Sequence, residues 1–364
     1  MKMKKGNKQL REQSRKIRQY TSLIRGARAA ARTEKTQPNS SDRTEWRAHS
    51  FANIFSVTGE IADFEAFLRA ANGIKYKYQA DASFNDTCGS LARHGFARKA
   101  RSLASKLERR SNRALGFIEI YQVTKDPTDL ERARRIINTL DAEGGWRSGC
   151  EYAIIWAQAE MGDLQACHAL GDRLFEYPSN QRLPGIAAEL QKKGSTKGIQ
   201  TLVAHVRHGF DRFKIWKELF AITRKAKYLA AARNELYKAR QEEGSWHSDW
   251  NAVLWSELFY LSHAKRDRKE IRLKPTRKEN YQLTAEIYFN LFRATRDNKD
   301  LAIYRNAVLH IDHDHQRIEQ STNLFVSTLD PHDLKRATDI IKSQTHGFST
   351  VKWLLKLAQA IKAE

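Results

Sequence analysis

The sequence has few of the residues that mark several large classes of protein. Only three cysteines, Cys88, Cys150 and Cys167, occur among 364 residues. That number excludes a disulfide-dense scaffold and a cysteine-rich zinc site, and it favours a reducing compartment such as the cytoplasm. Six prolines and 18 glycines are too few for a collagen-like or low-complexity chain. No apolar run reaches the roughly 18 residues of a membrane-spanning helix, and a secretory signal is not expected because the basic N-terminus lacks an apolar stretch.

Positive charge is abundant, and it is concentrated in two places. The chain has 64 Lys and Arg residues against 42 Asp and Glu residues, a net charge of +22. Residues 1–35 carry +10 of this charge and residues 191–280 carry +11, so the remainder is nearly balanced. Concentrated charge favours a polyanionic partner, because each cation that binds a phosphate releases a condensed counterion.

The first of these regions lies in an N-terminal arm, residues 1–45. Its apolar residues recur at helical spacing, at Leu10, Ile17, Tyr20 and Ile24. Because like charges repel and this apolar stripe is thin, we expect the arm to be largely disordered in isolation. We also expect it to become ordered on nucleic acid or on an anionic surface. A solubilising tail and a mitochondrial transit peptide are the alternative interpretations.

The body of the chain, residues 46–364, has a hydrophobic period of 3.6 residues, which predicts helices throughout. The segment 126–133 is similar to the segment 330–337, and the two lie 204 residues apart, six units of about 34 residues. An Asp followed by a large apolar residue is predicted to open the second helix of a unit at Asp63, Asp129, Asp163, Asp300 and Asp333. The predicted fold is therefore all-α, a right-handed α-solenoid of about nine stacked helix-turn-helix repeats.

Several short motifs resemble tetratricopeptide-type and Sel1-like repeats. The motifs are the turn 161–164, the small residues Ala133 and Ala337, and the W-x-x-L segments 216–219 and 255–258, which match the opening of a first helix. The chain departs from the pattern where Phe220 and Phe259 replace the expected glycine. The resemblance implies an α-solenoid with a concave groove that binds proteins or peptides. A pentatricopeptide code is not indicated, since no pair of polar readout residues recurs.

The basic sub-region 191–280 contains the strongest candidate site. Its cations could hold phosphates, and exposed aromatic rings could stack bases. The candidate nucleic-acid-binding residues are Lys192, Lys193, Arg224, Lys225, Lys265, Arg266, Arg268, Lys269, Arg272 and Lys274, with Arg11, Arg15, Lys16 and Arg18 in the arm. Because Trp216 and Phe220 stand at i, i+4 spacing, we expect the aromatic residues of this region to belong to the core.

The sequence contains few residues in patterns that would indicate catalysis or metal binding. The segment 310–315 contains three histidines and two aspartates, and we interpret it as a polar turn at a helix end rather than a metal site. No cysteine has the His and acid neighbours of a reactive thiolate. The sequence contains no phosphate-binding glycine loop, nucleophile elbow or zinc-protease motif, so we expect neither catalysis nor a metal or cofactor.

These observations lead to one functional prediction with two alternatives. We expect a non-enzymatic adaptor that binds RNA or DNA through the 191–280 face and the N-terminal arm. One alternative is an interaction scaffold that holds an acidic peptide or protein in its groove. The other is an adaptor on an anionic membrane surface, which depends on the arm alone.

Overall fold

A computed structural model describes residues 2–33, 41–74, 77–140, 146–173, 182–206, 208–242, 248–271, 280–343 and 347–363. These ranges form 20 helices and contain no strand, which confirms the predicted all-α class. The helices are α1 (Lys2–Thr33), α2 (Ser41–Thr58), α3 (Ile61–Ala71), α4 (Lys77–Arg93), α5 (Ala97–Lys106), α6 (Arg110–Thr124), α7 (Pro127–Ile137), α8 (Trp146–Glu160), α9 (Leu164–Arg173), α10 (Leu183–Lys192), α11 (Thr196–His205), α12 (Gly209–Thr223), α13 (Ala226–Glu242), α14 (Ser248–Ser262), α15 (Lys265–Glu270), α16 (Tyr281–Thr295), α17 (Asn298–Leu309), α18 (Asp314–Thr328), α19 (Pro331–Ser343) and α20 (Gly347–Ala363). None of the described helices combines the length and the apolar character needed to cross a membrane.

Helices that follow one another in the chain pack as neighbouring pairs, for example α12 with α13 and α16 with α17. A residue with positive φ stands in the short connection between the two helices of a pair, where the chain reverses direction. These residues are Gly59, Gly95, Lys125, Gly162, Gly194, Arg224, His263, Arg296 and Leu329. The predicted second helices are present, since α3, α7, α9, α17 and α19 begin within three residues of the aspartates that predicted them.

Small residues and prolines occupy the positions that the helix pairs require. Ala133 in α7 and Ala337 in α19 are completely buried, as expected for residues that let two helices approach closely. Pro127 and Pro331 are the first residues of α7 and α19, where the backbone N–H that proline lacks has no helical partner.

The chain forms two compact units. Unit 1 contains residues 1–150 and 312–364, and unit 2 contains residues 151–311. Unit 1 therefore includes both ends of the chain, and its first helix, α1, packs along its last, α20. Unit 2 contains the whole of the basic sub-region 191–280.

The N-terminal arm differs from its prediction. Instead of being largely disordered, residues 2–33 form α1. Its second half contains the buried residues Leu23, Ile24, Ala27 and Ala31, whereas Ile17 in the first half is 59% exposed. A Cβ added at Gly26 would lie 3.5 Å from Leu354 of α20, so the two helices are in close contact. The thin apolar stripe is sufficient because a second helix covers it.

Candidate nucleic-acid interface

Most of the basic residues predicted in 191–280 lie at the connections between paired helices of unit 2. Lys192 and Lys193 end α10, and Arg224 and Lys225 connect α12 to α13. The segment 265–269 occupies the short helix α15, which follows the connection after α14. We call this set the basic turn row; its members are Lys192, Lys193, Arg224, Lys225, Lys265, Arg266, Arg268 and Lys269. All eight side chains are exposed.

Direct contacts link each of these connections to the next. The Tyr228 hydroxyl, in the first turn of α13, donates a hydrogen bond to Gln191 Oε1 at the end of α10. The Arg224 guanidinium donates to the carbonyl oxygen of Leu261 at the end of α14, at 2.8 Å. Arg268 of α15 lies 3.9 Å from the carboxylate of Asp300 in the first turn of α17. The connections that carry the basic turn row are therefore neighbours along one edge of unit 2.

A repeated hydrogen-bond motif fixes the geometry of these connections. At the end of α14 the Ser262 hydroxyl accepts from the backbone N–H of Ala264 and donates to Asp267 Oδ2, five residues later. Arg233 of α13 donates from Nε and Nη2 to the two oxygens of Asp267, at 2.8 and 2.7 Å. Since Asp267 is 1% exposed, its charge is balanced by this two-point ion pair.

The same motif recurs with other residues. A hydroxyl-bearing residue donates to a buried Asp five positions later in the pairs Thr58–Asp63, Thr124–Asp129, Thr295–Asp300 and Thr328–Asp333. Arg28 and Arg101 each bind such an Asp with two nitrogens, at Asp63 and Asp129, and these hydrogen bonds raise the pKa of both guanidinium groups. Sequence analysis assigned these aspartates to helix capping and missed their arginine partners. The signal was present as Thr or Ser five residues before Asp, with Arg 28 to 35 residues before that Asp.

The connections of the basic turn row have no carboxylate directly before the second helix, whereas other connections do. Glu60, Asp126 and Asp330 precede second helices of unit 1, and the hydrogen bonds that Asp126 accepts from Thr128 lower the pKa of that carboxyl group. The equivalent N-cap position is Ala264 before α15, and Lys225 directly precedes α13. Positive charge in the row is therefore not offset at these two connections.

Four lysines of the row have no ion pair with a carboxylate in the described part of the chain. These are Lys193, Lys225, Lys265 and Lys269, and we call them the four turn lysines. Lys192, by contrast, lies 2.6 Å from a Glu189 oxygen, and Arg266 lies 3.9 Å from Asp267. The unpaired ammonium groups are the ones most available to an external anion.

No protein-family model, curated protein or solved structure matches the chain.

The W-x-x-L segments are placed differently from the repeat pattern that they resemble. Trp216 lies midway along α12 and Trp255 midway along α14, so neither opens its helix.

Aromatic residues near the row belong to the core, as expected. Phe213, Phe220, Tyr228 and Trp255 are buried, and Trp216 stacks on Tyr228 with 5.9 Å between ring centroids. The cations of the connections lie over such rings: Arg224 over Phe220 at 5.6 Å, Lys227 over Tyr228 at 4.9 Å, Arg268 over Phe259 at 5.8 Å and Arg296 over Phe292 at 5.4 Å. Arg296, which connects α16 to α17, was missed by sequence analysis and adds a further cation to this edge.

Some of the predicted nucleic-acid-binding residues do not belong to the basic turn row. Arg272 and Lys274 lie outside the described residues, and so does the side chain of Arg11. Arg15 and Arg18 are exposed and Lys16 is half-buried in the first half of α1, which belongs to unit 1 rather than to unit 2.

The histidines of the segment 310–315 and the three cysteines have the contacts of structural residues. His310 Nδ1 donates a hydrogen bond to the Asn306 carbonyl oxygen, 2.8 Å away, and its ring stacks on Tyr281, while His315 packs edge-on against Trp353. Within the described ranges, no group of three His, Cys, Asp or Glu side chains is placed to hold a metal ion. All three cysteines are buried and none forms a disulfide, and burial raises the pKa of Cys167 to about 11.

Proposed function

We propose that this chain is a non-enzymatic helical-repeat adaptor that binds RNA or DNA through the basic turn row. In this proposal the helix pairs stack as a right-handed α-solenoid of about nine repeats. The protein works in the cytoplasm, where its three buried cysteines stay reduced. The observation that carries the proposal is the edge of neighbouring connections in unit 2 with exposed cations, in which four lysines have no described carboxylate partner.

Phosphate is the chemical group that suits such an edge best. Lysine and arginine side chains gain free energy from a nucleic acid mainly by displacing its condensed counterions. An isolated exposed lysine gains little from a single carboxylate, because solvent screens the pair. A row of unpaired cations can instead engage several phosphates of one chain at once, and the contributions then add.

Charge reversal of the four turn lysines tests the proposal. The variant K193E/K225E/K265E/K269E is expected to bind a fluorescent oligonucleotide at least about 100-fold more weakly than the natural sequence at low salt, because four phosphate contacts become repulsive. The matched control is R98E/R134E/K342E/K362E, which changes the net charge equally at exposed positions of unit 1. Fluorescence anisotropy measures both, and circular dichroism checks that the helices are retained.

The control variant separates an effect of the basic turn row from a general effect of net charge. Equal losses in the two variants would show that net charge alone governs binding and would remove the row from the proposal. If the natural sequence bound neither RNA nor DNA at low salt, and instead retained a protein through high salt and nuclease treatment, an acidic protein partner would replace nucleic acid.

A further inference from the structure

The rings beneath the basic turn row are covered on the side that faces the cations. Phe220, Phe259 and Phe292 are buried and lie under Arg224, Arg268 and Arg296. Tyr228 is buried as well, with Trp216 stacked on it at an interplanar angle of 19°. A ring that is buried and covered cannot stack a nucleotide base, so these aromatic residues support the cations and do not form a platform.

Two exposed rings of unit 2 are also poorly placed for stacking at the row. Phe210 is 42% exposed, but the Lys214 ammonium lies 3.9 Å from its ring centroid. Phe210 lies at the start of α12, and Arg224 follows the other end of this 15-residue helix, about 20 Å away. Tyr237, also 42% exposed, packs against Trp255 with 5.1 Å between centroids.

The polar groups of the row suit phosphates better than base edges. Reading a base requires a planar group that makes two hydrogen bonds, such as a free guanidinium or a carboxamide. Arg224 already donates to the Leu261 carbonyl oxygen, and Arg268 lies between Phe259 and Asp300. The groups without a partner are the four turn lysines, and an ammonium group is a point charge that holds a phosphate without distinguishing the base.

From these observations we infer that the partner is double-stranded nucleic acid, held by its phosphates with no preference for base sequence. The inference rests on the proposed function and specifies its substrate class. Single strands are normally held by stacking their bases on aromatic side chains, which the described part of the row does not offer. A duplex keeps its bases stacked internally and presents one phosphate charge per roughly 1.7 Å of its axis, so a row of cations gains most from a duplex.

Competition between oligonucleotides with equal numbers of phosphates tests the inference. A duplex of about 20 base pairs and a single strand of about 40 nucleotides are titrated against the full chain at about 50 mM salt. We expect the duplex to bind about tenfold more tightly, and A·T-rich and G·C-rich duplexes to agree within about twofold. K193E/K225E/K265E/K269E is expected to abolish the duplex advantage, whereas F210A is expected to leave it unchanged.

The outcomes separate the two proposals. Tighter binding of the single strand, or a clear preference between the duplex sequences, overturns the inference and leaves the proposed function in place. Absence of binding to duplex and single strand alike overturns both. A loss of affinity in F210A as large as that in the lysine variant also contradicts the inference, because it would show that an aromatic ring contributes to binding.

Discussion

At the scale of single residues, the ion pair of Arg233 and Asp267 lies in the interior of unit 2. The two side chains are 10% and 1% exposed, and two hydrogen bonds join them. Removal of one partner leaves a charge in the interior without compensation, which is far more costly than the loss of a surface pair. The pair therefore holds α13 to α15, the short helix that contains Lys265 and Arg266.

Substitution of Arg233 by Met is expected to lower the free energy of unfolding by about 3 to 5 kcal/mol, because Asp267 would stay buried without a counter-ion. Urea unfolding followed by circular dichroism measures the change. R135M is the matched control: Arg135 is 80% exposed and lies 3.9 Å from Glu131, so its loss is expected to cost less than about 1 kcal/mol. Equal losses in R233M and R135M would show that the buried pair adds no stability.

Cys167 gives a prediction for the dependence of stability on pH. Burial raises the pKa of its thiol from 9.0 to about 11, so the folded protein holds the proton more tightly than the unfolded chain. This contribution to stability is complete below pH 9 and is lost as the pH rises towards 11. The stability of C167A, measured by urea unfolding, should therefore fall less between these two pH values than that of the natural sequence. An identical fall in both proteins would contradict the assignment.

At the scale of helices, the packing of α1 is the largest departure from the expectations drawn from sequence. Ile24 is 3% exposed and Ile17 is 59% exposed, although both belong to the predicted apolar stripe. We expect I24A to cost about 2 to 5 kcal/mol and I17A less than about 0.5 kcal/mol, because only the first substitution leaves a cavity. Thermal unfolding of the two variants measures this difference. Similar melting temperatures for the two variants would mean that α1 does not pack on α20.

The sequence predicted the helices of the body well and the arm poorly, for a physical reason. The second helices could be located from Asp63, Asp129 and Asp333, because helix initiation depends on neighbouring residues. The order of α1 depends instead on α20, at the other end of the chain, and no pattern within residues 1–45 encodes that contact. The arginine partners of the buried aspartates lie 28 to 35 residues before them, beyond the neighbouring residues that mark the start of a helix.

At the scale of the whole molecule, the sequence showed which segments concentrate positive charge but not how the charged side chains are arranged in space. The net charge of 191–280 identified the lysines and arginines that the structure places at the connections. That these connections are neighbours along one edge depends on contacts such as Arg224 with Leu261 and Arg268 with Asp300, between residues more than 30 positions apart. Lys225 and Ala264 occupy the positions directly before α13 and α15, where other connections have a carboxylate.

The salt dependence of nucleic-acid binding tests the central claim most directly. The slope of log K against log salt concentration reports how many phosphates the protein neutralises, at about 0.7 to 0.9 per contact. We predict that K193E/K225E/K265E/K269E reduces the magnitude of this slope by about 3, whereas R98E/R134E/K342E/K362E leaves it unchanged. The same slope for the natural sequence and the lysine variant would contradict the account, because it would show that the basic turn row does not contact phosphates.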